Sequence, residues 1–210
     1  MVKKFLYKIW SMFLTQFGNI KVFRFPLFWV YDPDDYQVTG QKVHELMKML
    51  KPGDVILRGY SHYLDGFFIP NSLKFSHASI YMGDGRIIHA IAEGVSETNL
   101  IEFTRCDRIA VFRPKKGMKK AMKKAQDFLD ENTPYDFGYT KGESELYCFE
   151  LCGECYNMLQ IPTYEVKKFL GLVKRENTYL ADSFFESPDF ELIFQYNPKF
   201  NIDFNKFSEV

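Results

Sequence analysis

Cysteine is scarce in this chain, with four in 210 residues, and three of them, Cys148, Cys152 and Cys155, fall within eight positions. That excludes the disulfide framework of a small secreted domain and fits a reducing compartment, so the expected location is cytoplasmic. Net charge is missing as well. Twenty-seven basic and twenty-seven acidic side chains cancel, leaving no global field to draw nucleic acid, and no Walker loop or dinucleotide-binding glycine pattern follows any predicted strand. Nucleic acid and nucleotides are therefore not expected partners. A second Cys-x-x-Cys pair to complete Cys152 and Cys155 is absent, so no zinc site is expected, and no cofactor is implied. No apolar run is long enough to span a bilayer: near the N-terminus Lys8 and Gln16 interrupt Phe5, Leu6, Ile9, Trp10, Phe13, Leu14 and Phe17, and no small-residue cleavage site follows. Repeats and low-complexity tracts are also lacking.

What the chain does have is apolar mass, 46% of residues, with 18% aromatic. This is enough for one core, and the expectation is one domain over residues 41–210 preceded by an N-terminal amphipathic helix and aromatic extension over 1–40. The apolar positions of residues 1–20 recur at helical spacing. That face either packs on the domain or gives a peripheral contact with a membrane or partner surface.

Local patterns set the element order. Val43, Leu46, Met47 and Leu50 form a helix stripe stopped by Pro52-Gly53, and a strand starts at Asp54 to Leu57. Residues 59–74 read as an aromatic-rich loop. Strands Ser76 to Met82 and Arg86 to Ile91 follow, joined by Gly83-Asp84-Gly85, then a strand Arg108 to Arg113. Met118, Ala121, Met122, Ala125, Phe128 and Leu129 line a second helix, and Leu151, Cys152, Cys155, Tyr156 and Leu159 a third, with Cys148 at its start. Short helices are expected near Tyr164 to Val173 and Tyr179 to Phe185, and a last strand over Glu191 to Tyr196.

His77 and Cys148 carry the chemistry. A thiol in the first turn of a helix meets free backbone N–H groups and the positive end of the dipole, which lower its pKa, and an imidazole can take its proton and later return it to a leaving group. With a three-residue loop at Gly83-Asp84-Gly85, Met82 faces Arg86 and Ser79 faces His89, which puts His77 and His89 on one sheet face as diagonal neighbours. A two-residue loop shifts the register by one and sends His89 to the other face. Cys152 and Cys155 fit the core stripe, Cys106 reads as structural, His44 and His62 as surface groups, Asp54 and Asp84 as turn residues, and Glu150 as an electrostatic support for its helix N-terminus.

Five stretches in this order resemble the YiiX-like permuted papain-like amidases, a branch of the NlpC-type cysteine peptidase superfamily that also includes relatives of lecithin:retinol acyltransferase. They are Gly53-Asp54-Val55-Ile56, Phe75-Ser76-His77, Gly83-Asp84-Gly85-Arg86-Ile87-Ile88-His89-Ala90, Thr133-Pro134-Tyr135-Asp136-Phe137-Gly138 and Tyr147-Cys148-Phe149-Glu150-Leu151. Ala181 to Pro188 is similar to the closing helix of these proteins. The resemblance implies an α+β, circularly permuted papain-like fold, a central antiparallel sheet packed against helices with the His strand before the Cys helix. It implies Cys148 as nucleophile, His77 as base, His89 as the group orienting His77 and Tyr135 as an oxyanion donor. The function so implied is a cysteine hydrolase, an amidase or peptidase, acting without metal or cofactor on a peptide, amide or lipid acyl substrate. A lipid acyl hydrolase or acyltransferase with the same Cys-His-His site is the first alternative, and a non-catalytic binding or structural protein on this fold the second.

Overall fold

The structure is a computed structural model that describes residues 20–24, 27–31, 36–60, 75–138, 142, 144–168 and 173–197, with Ile9 and Met12 as isolated positions. The expected helix over residues 1–20 otherwise lies outside the described residues, as does most of the loop 59–74, His62 included. Ile9 and Met12 are both helical and exposed.

Residues 36–60 and 75–197 supply the elements of a six-stranded, wholly antiparallel sheet with helices on both faces. The strands are β3 (Val55–Gly59), β4 (His77–Gly83), β5 (Arg86–Ile91), β6 (Gly94–Asn99), β7 (Arg108–Pro114) and β10 (Phe190–Tyr196), in the order β10-β7-β3-β4-β5-β6. One face carries Val55, Leu57, Ala78, Ile80, Ile88, Ala90, Ala110 and Phe112. It is covered by α3 (Met118–Asp130), α4 (Cys148–Cys155) and α5 (Ala181–Glu186), whose apolar stripes meet it. The other carries Ile56, Ile87, Ile109 and Val111 under α1 (Gly40–Met49) and the single turn α2 (Leu100–Phe103). Two buried faces explain why the central strands read as near-continuous apolar runs. A buried ion pair pins the α1–β3 corner: Arg113 Nε and Nη2 donate to Asp54 Oδ1 and Oδ2 at 2.9 and 2.7 Å, and the Lys51 N–H donates to Oδ2 at 2.7 Å. Asp54 is thus more than a turn residue. No helix among the described residues is long and apolar enough to cross a membrane.

One local expectation is corrected, and two further pieces of strand structure were not foreseen. The aromatic extension contains a two-stranded hairpin, β1 (Ile20–Arg24) with β2 (Leu27–Tyr31). In place of one helix over Tyr164 to Val173, two strands pair, β8 (Tyr164–Lys168) and β9 (Val173–Thr178). Val166, Val173 and Thr178 are β-branched, and strand pairing satisfies backbone groups that a ten-residue helix without a packed face would satisfy only after a costly nucleation. The edge strand β6 was not anticipated, because in Gly-Val-Ser-Glu-Thr-Asn only Val95 is apolar and the alternation is too faint to read.

Candidate functional site

The β4–β5 hairpin sets the site, and it does so by an unexpected route. The turn has two residues, Asp84 and Gly85, both with positive φ (50° and 78°), and Gly83 pairs with Arg86. Alone this would displace His89 to the wrong face. A bulge between Tyr81 and Gly83 takes up the extra residue Met82 and restores the register, so Tyr81 pairs with Ile87 and Ser79 with His89. His77 and His89 accordingly share a face, with His77 Nε2 and His89 Nδ1 3.0 Å apart and the rings at 81°. Phe103 of α2 lies against both imidazoles, at 5.8 and 5.7 Å between ring centres.

Cys148 opens α4, as its position predicts. Leading into it, the Leu146 N–H donates to Pro134 O at 2.9 Å, and the Tyr147 phenol oxygen accepts from the Tyr179 N–H at 2.7 Å. Gly153 on the same helix lets Tyr179 approach: a Cβ there would stand 2.7 Å from the ring. Held this way, the helix start abuts the beginning of β4. The thiol donates to Ser76 O at 3.8 Å and faces the N–H groups of Ala78 and Phe149. It therefore meets the main chain on either side of His77, and no hydrogen bond joins it to the imidazole among the described residues. Tyr135 packs partly buried against the same core with its ring edge on Phe137, 4.8 Å between centres. The structure thus brings His77 and His89 into contact, sets Cys148 against the His77 main chain, and shows no hydrogen bond from Tyr135 to Cys148.

The electrostatics reverse one expectation. Burial pushes the Cys148 thiol up to about 11, against the smaller opposing effect of the N–H groups of Ala78 and Phe149 and of the Arg58 charge. The helix N-terminus does not outweigh desolvation. His77 is held well below the ordinary imidazole value by burial, then by Arg58 and His89, and His89 is lowered to about 4 by burial and Arg58. At rest the site holds a thiol and two neutral imidazoles. Cys152 and Cys155 are buried core thiols as expected, and Cys106, pushed up to about 12 by burial, donates to Arg108 O at 3.1 Å. His44 is exposed.

Of two further neighbours of the site, one escaped the sequence reading and the other was misread. Arg58 pairs across the ladder with His77, and its guanidinium lies 4.5 Å from the Phe103 ring. A cation inside the apolar strand Val-Ile-Leu-Arg-Gly was the available signal. The second is Glu150, 1% exposed, which accepts from the Gly142 N–H at 3.1 Å while Oε2 has no partner. Burial raises it to about 8, with Asp136 and Glu154 adding to the rise. At neutral pH it is mostly a neutral acid, and the expected support of the helix by its charge is corrected.

The sign of the Glu150 effect follows from linkage. The folded state holds the proton up to about 8, whereas the unfolded chain releases it near 4.5, so stability is full below the unfolded value and is lost as pH rises toward 8. At about 1.4 kcal/mol per pH unit the loss reaches a few kcal/mol. The two histidines act oppositely, costing stability as pH falls below 6.5. Glu150→Gln should abolish the alkaline loss alone and leave the histidine effect unopposed, so the urea midpoint should rise more between pH 5 and pH 8 in the variant than in the native protein. Equal differences would show that Glu150 is ionised in the fold.

Comparison with known proteins agrees with this architecture. Residues 49–194 match a family described as "Permuted papain-like amidase enzyme, YaeF/YiiX, C92 family". The fold is similar to the crystal structure of metalloprotein yiiX from Escherichia coli O157:H7, with a TM-score of 0.58 and 18% identity over 71% of this chain and 99% of that one. No curated protein matches. Although that relative is described as a metalloprotein, no three His, Cys, Asp or Glu side chains converge to hold a metal ion among the described residues here. With the match spanning most of the chain and the antiparallel sheet and helix layers in place, the protein belongs to the YaeF/YiiX, C92 family of permuted papain-like amidases.

Proposed function

We propose that the protein is a thiol hydrolase cleaving an amide or peptide bond through a thioacyl intermediate, with Cys148 as nucleophile, His77 as general base and His89 as the group that orients it. The observation that carries this reading is the 3.0 Å contact between His77 Nε2 and His89 Nδ1, beside a thiol lodged on the His77 main chain. With Nε2 committed to His89, Nδ1 is the nitrogen left for the thiol. In the productive tautomer Nε2–H donates to His89 Nδ1, and Nδ1 of His77 is the free base.

Rotation about the Cys148 Cα–Cβ bond releases the sulfur from Ser76 O. His77 Nδ1 takes its proton as sulfur bonds to the carbonyl carbon, and the C=O electron pair moves to oxygen. The backbone N–H groups at the start of α4 are donors for that oxyanion, with the Tyr135 phenol as a further one. On collapse, the C–N bond breaks and the imidazolium protonates the departing amine. Water then attacks the thioester carbon while His77 accepts its proton. Release of the acid product restores the thiol when the imidazolium returns that proton to sulfur. No charged pair exists at rest, so His89 has its largest effect when His77 is cationic, by accepting from Nε2–H.

This role gives an ordered expectation for substitutions. His89→Ala removes the acceptor and should lower kcat by about 10–100-fold, whereas His89→Gln and His89→Glu keep an acceptor and should retain more of the rate. Rescue by glutamate should be accompanied by a higher His77 pKa in the pH–rate profile. If all three variants are equally slow, His89 only packs.

An imidazole rather than a carboxylate in the third position favours a second reading, acyl hydrolysis or transfer on a lipid ester. A turnover screen of purified protein on peptide, amide and glycerolipid ester substrates, with Cys148→Ala as control, tests both. Amide cleavage lost in the control is the expected result; ester turnover alone would favour the lipid reading. Binding with no turnover of any class would leave a non-catalytic protein on this fold. Residues 1–20 are proposed as the segment for any peripheral membrane contact.

A further inference from the structure

Arg58 has a position that the acyl-transfer steps do not use. It sits opposite His77 in the β3–β4 ladder, on the same face as His77 and His89, and its charge reaches both imidazoles and the Cys148 thiol. Phe103 and Tyr60 lie against the guanidinium, 4.5 and 5.5 Å from its central carbon. Of its five N–H donors, the fold uses Nη1, which donates to Phe103 O at 3.2 Å, and Nε is buried with no partner. No carboxylate pairs with it among the described residues. Asp107, which acts with Arg58 on the Cys106 thiol, accepts from the Gln37 N–H at 3.1 Å, and the guanidinium of neighbouring Arg108 is directed to Asn197 Oδ1 and Tyr60 O. A planar fork packed against two rings and with no carboxylate partner among the described residues matches the geometry by which arginine recognises carboxylate or phosphate.

We infer that Arg58 forms a subsite for an oxyanion of the substrate, a carboxylate or a phosphate carried near the scissile acyl group. The inference rests on the hydrolase reading for what the anion belongs to. It also explains why an arginine that opposes formation of a cationic His77 is placed here: a bound anion offsets its charge, so the imidazole becomes a better proton acceptor once substrate is seated.

The test uses the full chain with isotope-labelled histidine, titrated at constant ionic strength with sodium phosphate and, separately, with sodium acetate. Saturable shifts of the His77 and His89 imidazole resonances are expected, with His44, exposed on α1, unmoved. Arg58→Met should weaken the apparent affinity by about tenfold or more. Arg58→Lys should fall between, because it keeps the charge without the fork, and it carries the test if Arg58→Met fails to fold. The stronger of the two anions identifies phosphate or carboxylate as the substrate group. Shifts that fail to saturate with either anion, or that are unchanged in the Arg58 variants, would overturn the subsite. Cys148 chemistry is not consulted here, so lost turnover with retained anion binding would sink the hydrolase reading alone.

Discussion

Cys148→Ala and His77→Ala should each lower kcat/KM on a turned-over substrate by about four orders of magnitude or more, and the double variant should be little slower than either single. The non-additivity is the informative part. One substitution removes the atom that bonds to the acyl carbon, the other the nitrogen that accepts its proton, and the step needs both. Additive losses would describe two independent contributions to binding or folding. Because Cys148 lies at 3% exposure within the core, Cys148→Ser is the companion that keeps the volume, and urea midpoints of all variants separate lost chemistry from lost stability. Native-like kcat/KM in both single variants would place the site elsewhere.

Native Cys148 should be alkylated by iodoacetamide at pH 7 roughly 100- to 300-fold more slowly than the same residue in the denatured chain. The thiol stands at about 11 in the fold against an ordinary value near 8.5, and only the thiolate reacts. From the helix start alone the opposite is expected, preferential labelling in mild acid. Faster labelling of the native protein would restore the resting ion pair. A neutral resting site also shapes the pH dependence of kcat/KM. The base is available wherever His77 is unprotonated, which extends well below pH 6.5, and the thiol keeps its proton until far above neutrality. The profile should therefore be flat from about pH 6 to 9, with its acid limb below the ordinary imidazole value. A shoulder near pH 8 would belong to Glu150, two residues from the sulfur, and should vanish in Glu150→Gln.

The candidate site was legible to the extent that its parts are local. A histidine on an alternating strand, a glycine-flanked turn and a cysteine ahead of an apolar helix stripe are patterns contained in about ten residues each, and the structure has those elements, the two strands with ends shifted by at most one position and the helix ending at Cys155, four residues short of Leu159. The sharing of a face by His77 and His89 was foreseen through a three-residue turn. It arises instead from a two-residue turn with a bulge at Met82, two irregularities whose register effects cancel.

The order of β3, β4, β5, β7, α3, α4 and β10, with His77 on a strand and Cys148 opening a helix, was determined by sequence alone, because side-chain period, turn residues and helix starts act over a few neighbouring positions. The fold decided the rest. Arg58 meets His77 only through the pairing of β3 with β4 across 19 positions, β8 and β9 become strands because each supplies the other's hydrogen bonds, and β6 is a strand because β5 is beside it. Protonation followed the same rule: the raised thiol, the lowered imidazoles and the neutral Glu150 come first from desolvation between packed layers. Burial belongs to the assembled sheet and helices, since the groups that exclude water from a side chain come from all along the chain.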